Sequence, residues 1–477
     1  MTLAIFRQEW QSLRGERSLW IVVVLIALLA GYGVYNGATW TRFQVRTLSA
    51  VAKDQQERLE KLRAEVRKVE ADRARSKRAD PRDAASVGGT TGVPYAVLPP
   101  AALAPFSIGQ SDLYPYYFKL SLKSRPTVTE SDEIENPVNL LSGRFDLSFA
   151  VVYLMPLLIL ALTYNVLSAE KENGTLAISL SQPVALGALI ARKTLFRAIV
   201  LAVIVIASSL TAAALTGVRF NQPGVFPRLL LWIAVVLSYG SFWFVLAVAI
   251  NALGKSSATN ALTLAAIWLA FVLLIPASIN LLAESLYPVP SRVEMIQAMR
   301  EASIQATQKG STLLARYWED HPDLASPSNS SAPDASFATY AVQMEVDRLT
   351  EPVFAHFESQ IAAQQAVVNR FRFLSPAILA QNALNDISGT GVARYRDFRR
   401  AFDGFLTEWQ DYFFRRISQR ALVSSQDLDR MPKFSYPDES VGTIVARLLA
   451  AFAGILALVA GIGAYSMYRL ARYPIAG

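Results

Sequence analysis

The chain has 477 residues, a net charge of +8, and 52% hydrophobic against 18% charged residues. A mean hydropathy of +0.28 and several apolar runs exclude one large soluble core and point to an integral membrane protein. There is no cysteine, which excludes disulfides, thiol chemistry and Cys-type zinc sites; the two histidines, His321 and His356, lack metal-ligand spacing.

In chain order, Leu3, Phe6, Trp10 and Leu13 recur at three- and four-residue steps and share one helical face. The spacing predicts an amphipathic interfacial helix over 1–17, with Trp10 at headgroup depth; a frayed tail is the alternative. A first span follows at 18–36. The long lead-in with Glu9 and Glu16 argues against a cleaved signal peptide. Residues 40–82 read as a stalk helix with a seam of Leu48, Val51, Gln55, Leu59, Leu62, Val66 and Val69. That seam suits a second copy or the chain's own domain. The rest of 37–146 is rich in Pro and aromatic residues, with short strands expected near Tyr117.

Further spans are expected at 147–167, 198–217, 229–250, 261–283 and 441–470, making six with both termini inside. Arg192, Lys193, Arg197, Lys255 and Arg469 mark the cytoplasmic side. Two large insertions, 37–146 and 284–440, then fall outside. The second reads as helical at 292–318, 335–373 and 392–418, with Phe398, Phe402, Phe405, Trp409 and Phe413 as an aromatic stripe and a Pro/Ser/Asn-rich linker near 321–334. The predicted fold is an all-α polytopic membrane protein, with part of the first insertion α+β.

The middle spans carry no Asp, Glu, Lys, Arg or His, which argues against a self-powered ion-coupled transporter. Their small polar residues, Ser208, Ser209, Ser238 and Ser241 among them, suit helix packing. Arg447, near the outer end of the last span, reads as a snorkelling side chain. Gly254-Lys255-Ser256 resembles the end of a phosphate-binding loop, but Ala249 stands where that motif needs Gly. No enzyme motif stands out, and the basic charge follows the spans, so neither catalysis, a cofactor nor nucleic acid is expected.

The stretch 168–197, pinned between two spans, carries Glu170, Lys171, Glu172, Gly174, Thr175, Leu176, Pro183 and Lys193. It resembles the cytoplasmic E-x-E-x-G-T-L segment of permease subunits of ABC-2-type bacterial ABC transporters. The start, Phe6 to Trp10, resembles that family's elbow helix. The stretches LPPAALAPFSIGQSDLYP, NPVNLLSGRFD and LSPAILAQNALNDISGTG are similar to a subgroup of permeases with big periplasmic domains.

The resemblance implies a multi-pass inner-membrane permease, an exporter. A separate ATPase dimer, holding ATP and Mg, would dock on 168–197, beside a second permease copy or a sister permease. A periplasmic partner for the insertions is a further expectation. A rival expectation is a scaffold or mechanical transmitter that moves nothing across the membrane.

Overall fold

The computed structural model describes residues 17–72, 80–120, 122, 144–176, 185–218, 222–310, 312, 319, 335–419 and 421–473. The expected interfacial helix with Phe6, Trp10 and Leu13, as well as Pro183 and the 321–334 linker, lies outside them.

The described chain is predominantly helical. Helix α1 (Arg17–Asp72) runs unbroken for 56 residues, about 84 Å at 1.5 Å per residue. The expected first span and stalk are thus one rod. Its helical path was expected to reach residue 82. Asp80 to Arg82 instead form a turn, because Pro81 removes a donor and biases Asp80 away from helix, and the Arg82 guanidinium closes on the Asp80 carboxylate.

Among the described residues, five helices are long and apolar enough to cross a membrane: α2 (Leu147–Glu172), α3 (Leu186–Leu215), α4 (Val225–Asn251), α5 (Ser257–Leu286) and α10 (Val441–Ala471). Helix α3 starts at Leu186, so the second half of the 168–197 stretch is the first turns of a spanning helix and not a separate polar link.

Two spans widen into a π-helical turn, at Ala150–Leu154 in α2 and Ala270–Leu274 in α5. Each turn is followed by a proline, Pro156 or Pro276, which cannot donate to the carbonyl four residues back. In α2 the orphaned acceptor is Val152, and the Tyr239 hydroxyl donates to it at 2.9 Å. Trp268 Nε1 donates to Tyr153 at 3.2 Å. In α5, where the π turn bonds five residues back, the carbonyl that Pro276 leaves is Phe271, and the Ser375 hydroxyl donates to it at 2.6 Å. Side chains of other elements therefore repair the ladders where no water would reach. The span serines have a humbler role. Ser208, Ser209, Ser238 and Ser241 donate to carbonyls four residues back in their own helices.

The membrane core is built around α4, where Trp232, Tyr239, Phe242 and Trp243 are fully buried. Helix α1 approaches this core through small residues. A Cβ on Gly33 would stand 2.6 Å from the Asp146 carbonyl carbon, and one on Gly37 would stand 2.0 Å from the Pro105 oxygen. This pair, four residues apart, is the close-approach signal familiar in membrane helices.

Beyond the spans, α6 (Arg292–Gln308) and α7 (Ala335–Phe371) pack together, and α7 also packs on α5. Helix α8 (Pro376–Ser388) turns back and buries Ala377, Leu379, Ala380, Ala383, Leu384 and Ile387 in the same core as the spanning helices. Helix α9 (Val392–Ser418) carries the aromatic stripe. All five stripe residues are core, packed with Leu62, Val66 and Phe118 of the first insertion. This settles which surface the α1 seam meets from Leu59 to Val66, namely its own domain. The polar step in the seam, Gln55, accepts from the Tyr95 amide at 3.1 Å.

Trp409 donates to the Gly88 carbonyl at 3.0 Å, and a Cβ on Gly88 would stand 2.6 Å from the Phe413 ring. The strands β1 (Tyr95–Val97) and β2 (Tyr117–Lys119) pair antiparallel, with Ala96 opposite Phe118. The two insertions thus share one hydrophobic core.

Candidate functional site

At the end of α2, residues Tyr164 to Leu167 form a turn and Ser168–Glu172 a short helix. Gly174 follows with φ of 72°, and a Cβ there would meet nothing, so this glycine is needed for its left-handed backbone and not for space. Thr175 and Leu176 are helical again.

Leu176 is buried with Leu167, Leu186, Ile190 and Leu470. Lys171, Glu172, Asn173, Gly174 and Thr175 form an exposed tip. The sequence-predicted contact residues other than Pro183 therefore sit together, but they divide into a buried foot and an exposed tip.

The two carboxylates have partners within the chain. Glu170 is ion-paired with Lys193 of α3, both side chains less than one-fifth exposed. Glu172 accepts from the Ser257 amide at 2.7 Å and from the Ser257 hydroxyl at 2.8 Å. It caps the first turn of α5, where backbone donors lack intrahelical partners and a negative charge is favoured.

Ser168 and Ser257 share a hydroxyl hydrogen bond of 2.8 Å. Asn251, at the end of α4, donates to Thr163 at 3.0 Å and accepts from the Leu167 amide at 3.3 Å. Lys171 lies 5.9 Å from the Tyr473 ring, just past α10. The segment is thus braced by the ends of α2, α4 and α10 and the starts of α3 and α5. The sequence marked Glu170 and Glu172 but gave no sign of Asn251 or Ser257 as their frame. A lone Asn closing a long apolar run is the only clue it offers.

At the opposite end of the spans, the three stretches at 98–115, 136–146 and 374–391 meet wherever they are described. Ser107 donates to Asn385 at 2.7 Å, and the Ile108 amide donates to Asp146 at 2.7 Å. Asp146 also caps α2 by accepting from the Phe149 amide at 2.6 Å. Burial pushes its carboxyl up to about 6, against those amide bonds. Gly109, with φ of 55°, fits against Thr390 and Asn385. Gln381 donates to Ser148 at 2.8 Å, and Asn36 of α1 donates to the Phe145 carbonyl at 2.6 Å.

Next to this knot lies a charged joint. Arg447 forms a two-pronged pair with Glu439 at 2.8 and 2.9 Å and faces Asp386 at 3.5 Å. The snorkelling expected of Arg447 is replaced by this clamp, because two carboxylates lie within its reach. Arg228 and Arg394 meet on Asp438.

Residues 292–437 match the family model described as a domain of unknown function, DUF3526. The match covers α6 to α9 and includes Asp386 and Arg394 of the charged joint but not Asp438, Glu439 or Arg447. No curated protein matches the chain. Among the described residues, no cluster of three or more His, Asp or Glu side chains has metal-binding geometry.

Proposed function

We propose that the chain is the membrane-spanning permease subunit of an ABC-2-type transporter, an exporter powered by a separate ATPase dimer. In this reading the apolar stretch 18–36 of α1 is a sixth span. The 168–176 end is cytoplasmic and the two insertions are periplasmic, in a bacterial inner membrane. The permease pairs with a second copy or a sister permease.

The observation that carries the reading is the bracing of the 168–176 segment. The segment is tied to α3 by Glu170–Lys193, to α5 by Glu172–Ser257, to α4 by Asn251 and to the end of α10 by Lys171–Tyr473, so a push on its exposed tip would reach all of them. The docking surface is the tip Lys171 to Thr175. Glu170 and Glu172, expected to meet the ATPase directly, act mainly by holding that tip.

The test is purification of the tagged full-length protein from native membranes in mild detergent, with mass-spectrometric identification of what accompanies it. A stoichiometric ATPase lost on Lys171→Glu, with the thermal midpoint unchanged, is the expected result. Recovery of periplasmic proteins without any ATPase would overturn it.

A second reading, a mechanical transmitter, draws on the core of α4. Its four fully buried aromatic residues fill the middle of the described bundle with apolar side chains. The groove of about 520 Å³ between α1 and α3 is lined mainly by apolar side chains such as Val34, Val203 and Ile204. A substrate path would then have to lie between subunits, whereas a transmitter needs none. Vesicles holding the complex that hydrolyse ATP yet accumulate nothing would favour the transmitter.

A further inference from the structure

Arg228 and Arg394 are the least expected charges in the molecule. Each guanidinium side chain is 5% exposed, yet both lean on one carboxylate, Asp438, which is 52% exposed. Arg228 donates to Asp438 at 3.0 Å and to the Glu439 carbonyl at 2.6 Å. Arg394 lies 3.4 Å from the other Asp438 oxygen. Its Nη atoms reach the Pro99 and Gly389 carbonyls at 2.9 and 3.3 Å, while its Nε is buried with no hydrogen-bond partner.

The nearby acid Glu439 does not make up the deficit, since Arg447 holds both its oxygens, and Asp386 also faces Arg447. Two buried cations sharing one half-exposed anion are under-neutralised, a costly arrangement unless a further anion completes it.

The same two arginines line a cavity of about 190 Å³, with Pro99 to Ala102 on one wall and Gln222 to Val225 on another. Helix α4 begins there. Its N-cap is Gly224, which offers no capping side chain, so the positive end of a 27-residue helix faces this space. The volume is below that of sites for drug-sized ligands, roughly 300 Å³ and upward. It suits a headgroup-sized anion.

We propose that this cavity binds a phosphate group, with Asp438 as the internal carboxylate that holds its place. Two guanidinium forks supply more donors than one carboxylate can accept, and a phosphate has the charge and the oxygens to use them; the start of α4 adds its dipole but few donors, since Pro227 has no N–H and the Val225 amide is bonded to Gln222. Asp438 is exposed enough to swing aside as the phosphate enters. The group comes either from a soluble phosphate compound or from a phospholipid headgroup, because the cavity lies where two spanning helices, α4 and α10, begin.

The test uses the full-length protein in detergent, stripped of lipid. Its thermal midpoint is followed with inorganic phosphate against chloride at equal ionic strength. In parallel, phosphatidylglycerol is compared with the phosphate-free digalactosyldiacylglycerol. A rise with inorganic phosphate assigns the soluble source, and a rise confined to phosphatidylglycerol assigns the headgroup.

Asp438→Asn removes the competing carboxylate and is expected to lower the half-saturating concentration of the effective probe about tenfold. Arg394→Gln abolishes the response. Because Arg394 also braces two carbonyls, that variant is checked against the wild type and Asp438→Asn, which keep both arginines. No shift in the wild type with any probe, or an Asp438→Asn protein that melts lower and gains nothing from the probe, would overturn the proposal and leave the three residues as an internal ion pair.

Discussion

The two ends of the span bundle are tied in different ways. At the 164–176 end the ties are short hydrogen bonds to hydroxyls, amides and carbonyls, with one ion pair, Glu170–Lys193. At the 436–447 end they are arginine–carboxylate contacts, with Arg228 and Arg394 on Asp438 and Arg447 on Glu439 and Asp386. A neutral hydrogen bond contributes about 1 kcal/mol net and is readily exchanged for water. Breaking a buried ion pair strands a charge and costs several times more. In the proposed reading the first end is the one that is moved, and its bonds and the Glu170–Lys193 pair keep it in one piece. The second is a clamp that makes the insertions follow the tops of α4 and α10. A stroke at one end would reach the insertions only if the clamp holds.

The clamp is where the largest effects are expected. Arg447→Met leaves Glu439, only 6% exposed, without its partner, and should destabilise the protein by about 3 kcal/mol, as for other broken buried pairs. Thermal unfolding in detergent measures this. A loss indistinguishable from that of an exposed control such as Arg400→Met, whose side chain is 78% exposed, would show that the clamp is not a tie at all.

Proton linkage sharpens the same contrast. Burial pushes Asp386 up from 3.8 to about 6, opposed by Arg447 and Arg372 and reinforced by Glu439. The native protein therefore keeps this proton between about pH 4 and pH 6, where the unfolded chain has released it. The native state binds more protons, so this residue's contribution to stability is fully present below about pH 4, falls as pH rises through 6, and levels off above. Other carboxylates move the opposite way, Asp427 and Asp80 among them. The readout is thus the difference between Asp386→Asn and wild type. That difference should shift in favour of the variant from pH 4 to pH 7 and then stay flat. A difference constant across the range would mean that Asp386 is charged throughout.

Between the two ends, the repair of the α2 ladder should yield a smaller effect. Tyr239→Phe keeps the ring and leaves the Val152 carbonyl without its donor, at a cost of about 1 kcal/mol. The thermal midpoint reports it. An unchanged midpoint would mean that the widened turn tolerates the orphan carbonyl.

How far the sequence could be read differs between these places for physical reasons. Spans leave a signal in every residue, since each must be apolar, and the helices α4, α5 and α10 fall close to the expected 229–250, 261–283 and 441–470. The aromatic stripe of α9 and the seam of α1 showed a period but not a partner; the partner comes from which elements share a core. Helix α8 passed unnoticed, although Ser375, Pro376 and Gly389 are an N-cap, a first-turn proline and a left-handed C-terminal residue in the expected order. Its apolar face was read as part of a motif and not as a helix.

Glu170 and Glu172, the expected contact residues, were visible as charges between two apolar runs. Their intramolecular partners were not, because Lys193 and Ser257 lie 23 and 85 residues away, and nothing local marks such pairs. The glycine pair Gly33 and Gly37 was legible in principle, as small residues four apart in an apolar helix.

The smallest effect separates holding the tip from touching a partner. Ser257→Ala removes the hydroxyl that Glu172 engages but leaves the Ser257 amide bond in place, so the cap weakens by about 0.5 kcal/mol. Glu172→Lys removes the cap and sets a positive charge against the helix N-terminus, which costs about 1 to 2 kcal/mol. If the proposed ATPase exists and Glu172 serves only to hold the tip, its capture should weaken in proportion to the loss of stability across the two variants. If its carboxylate also reaches the ATPase, capture by Glu172→Lys should collapse while Ser257→Ala binds as the wild type does. Pull-down of the ATPase with each purified variant, plotted against its thermal midpoint, decides which kind of end this is. A line through both variants makes the segment a lever whose shape is what the partner reads, and a break in that line makes Glu172 part of the contact itself.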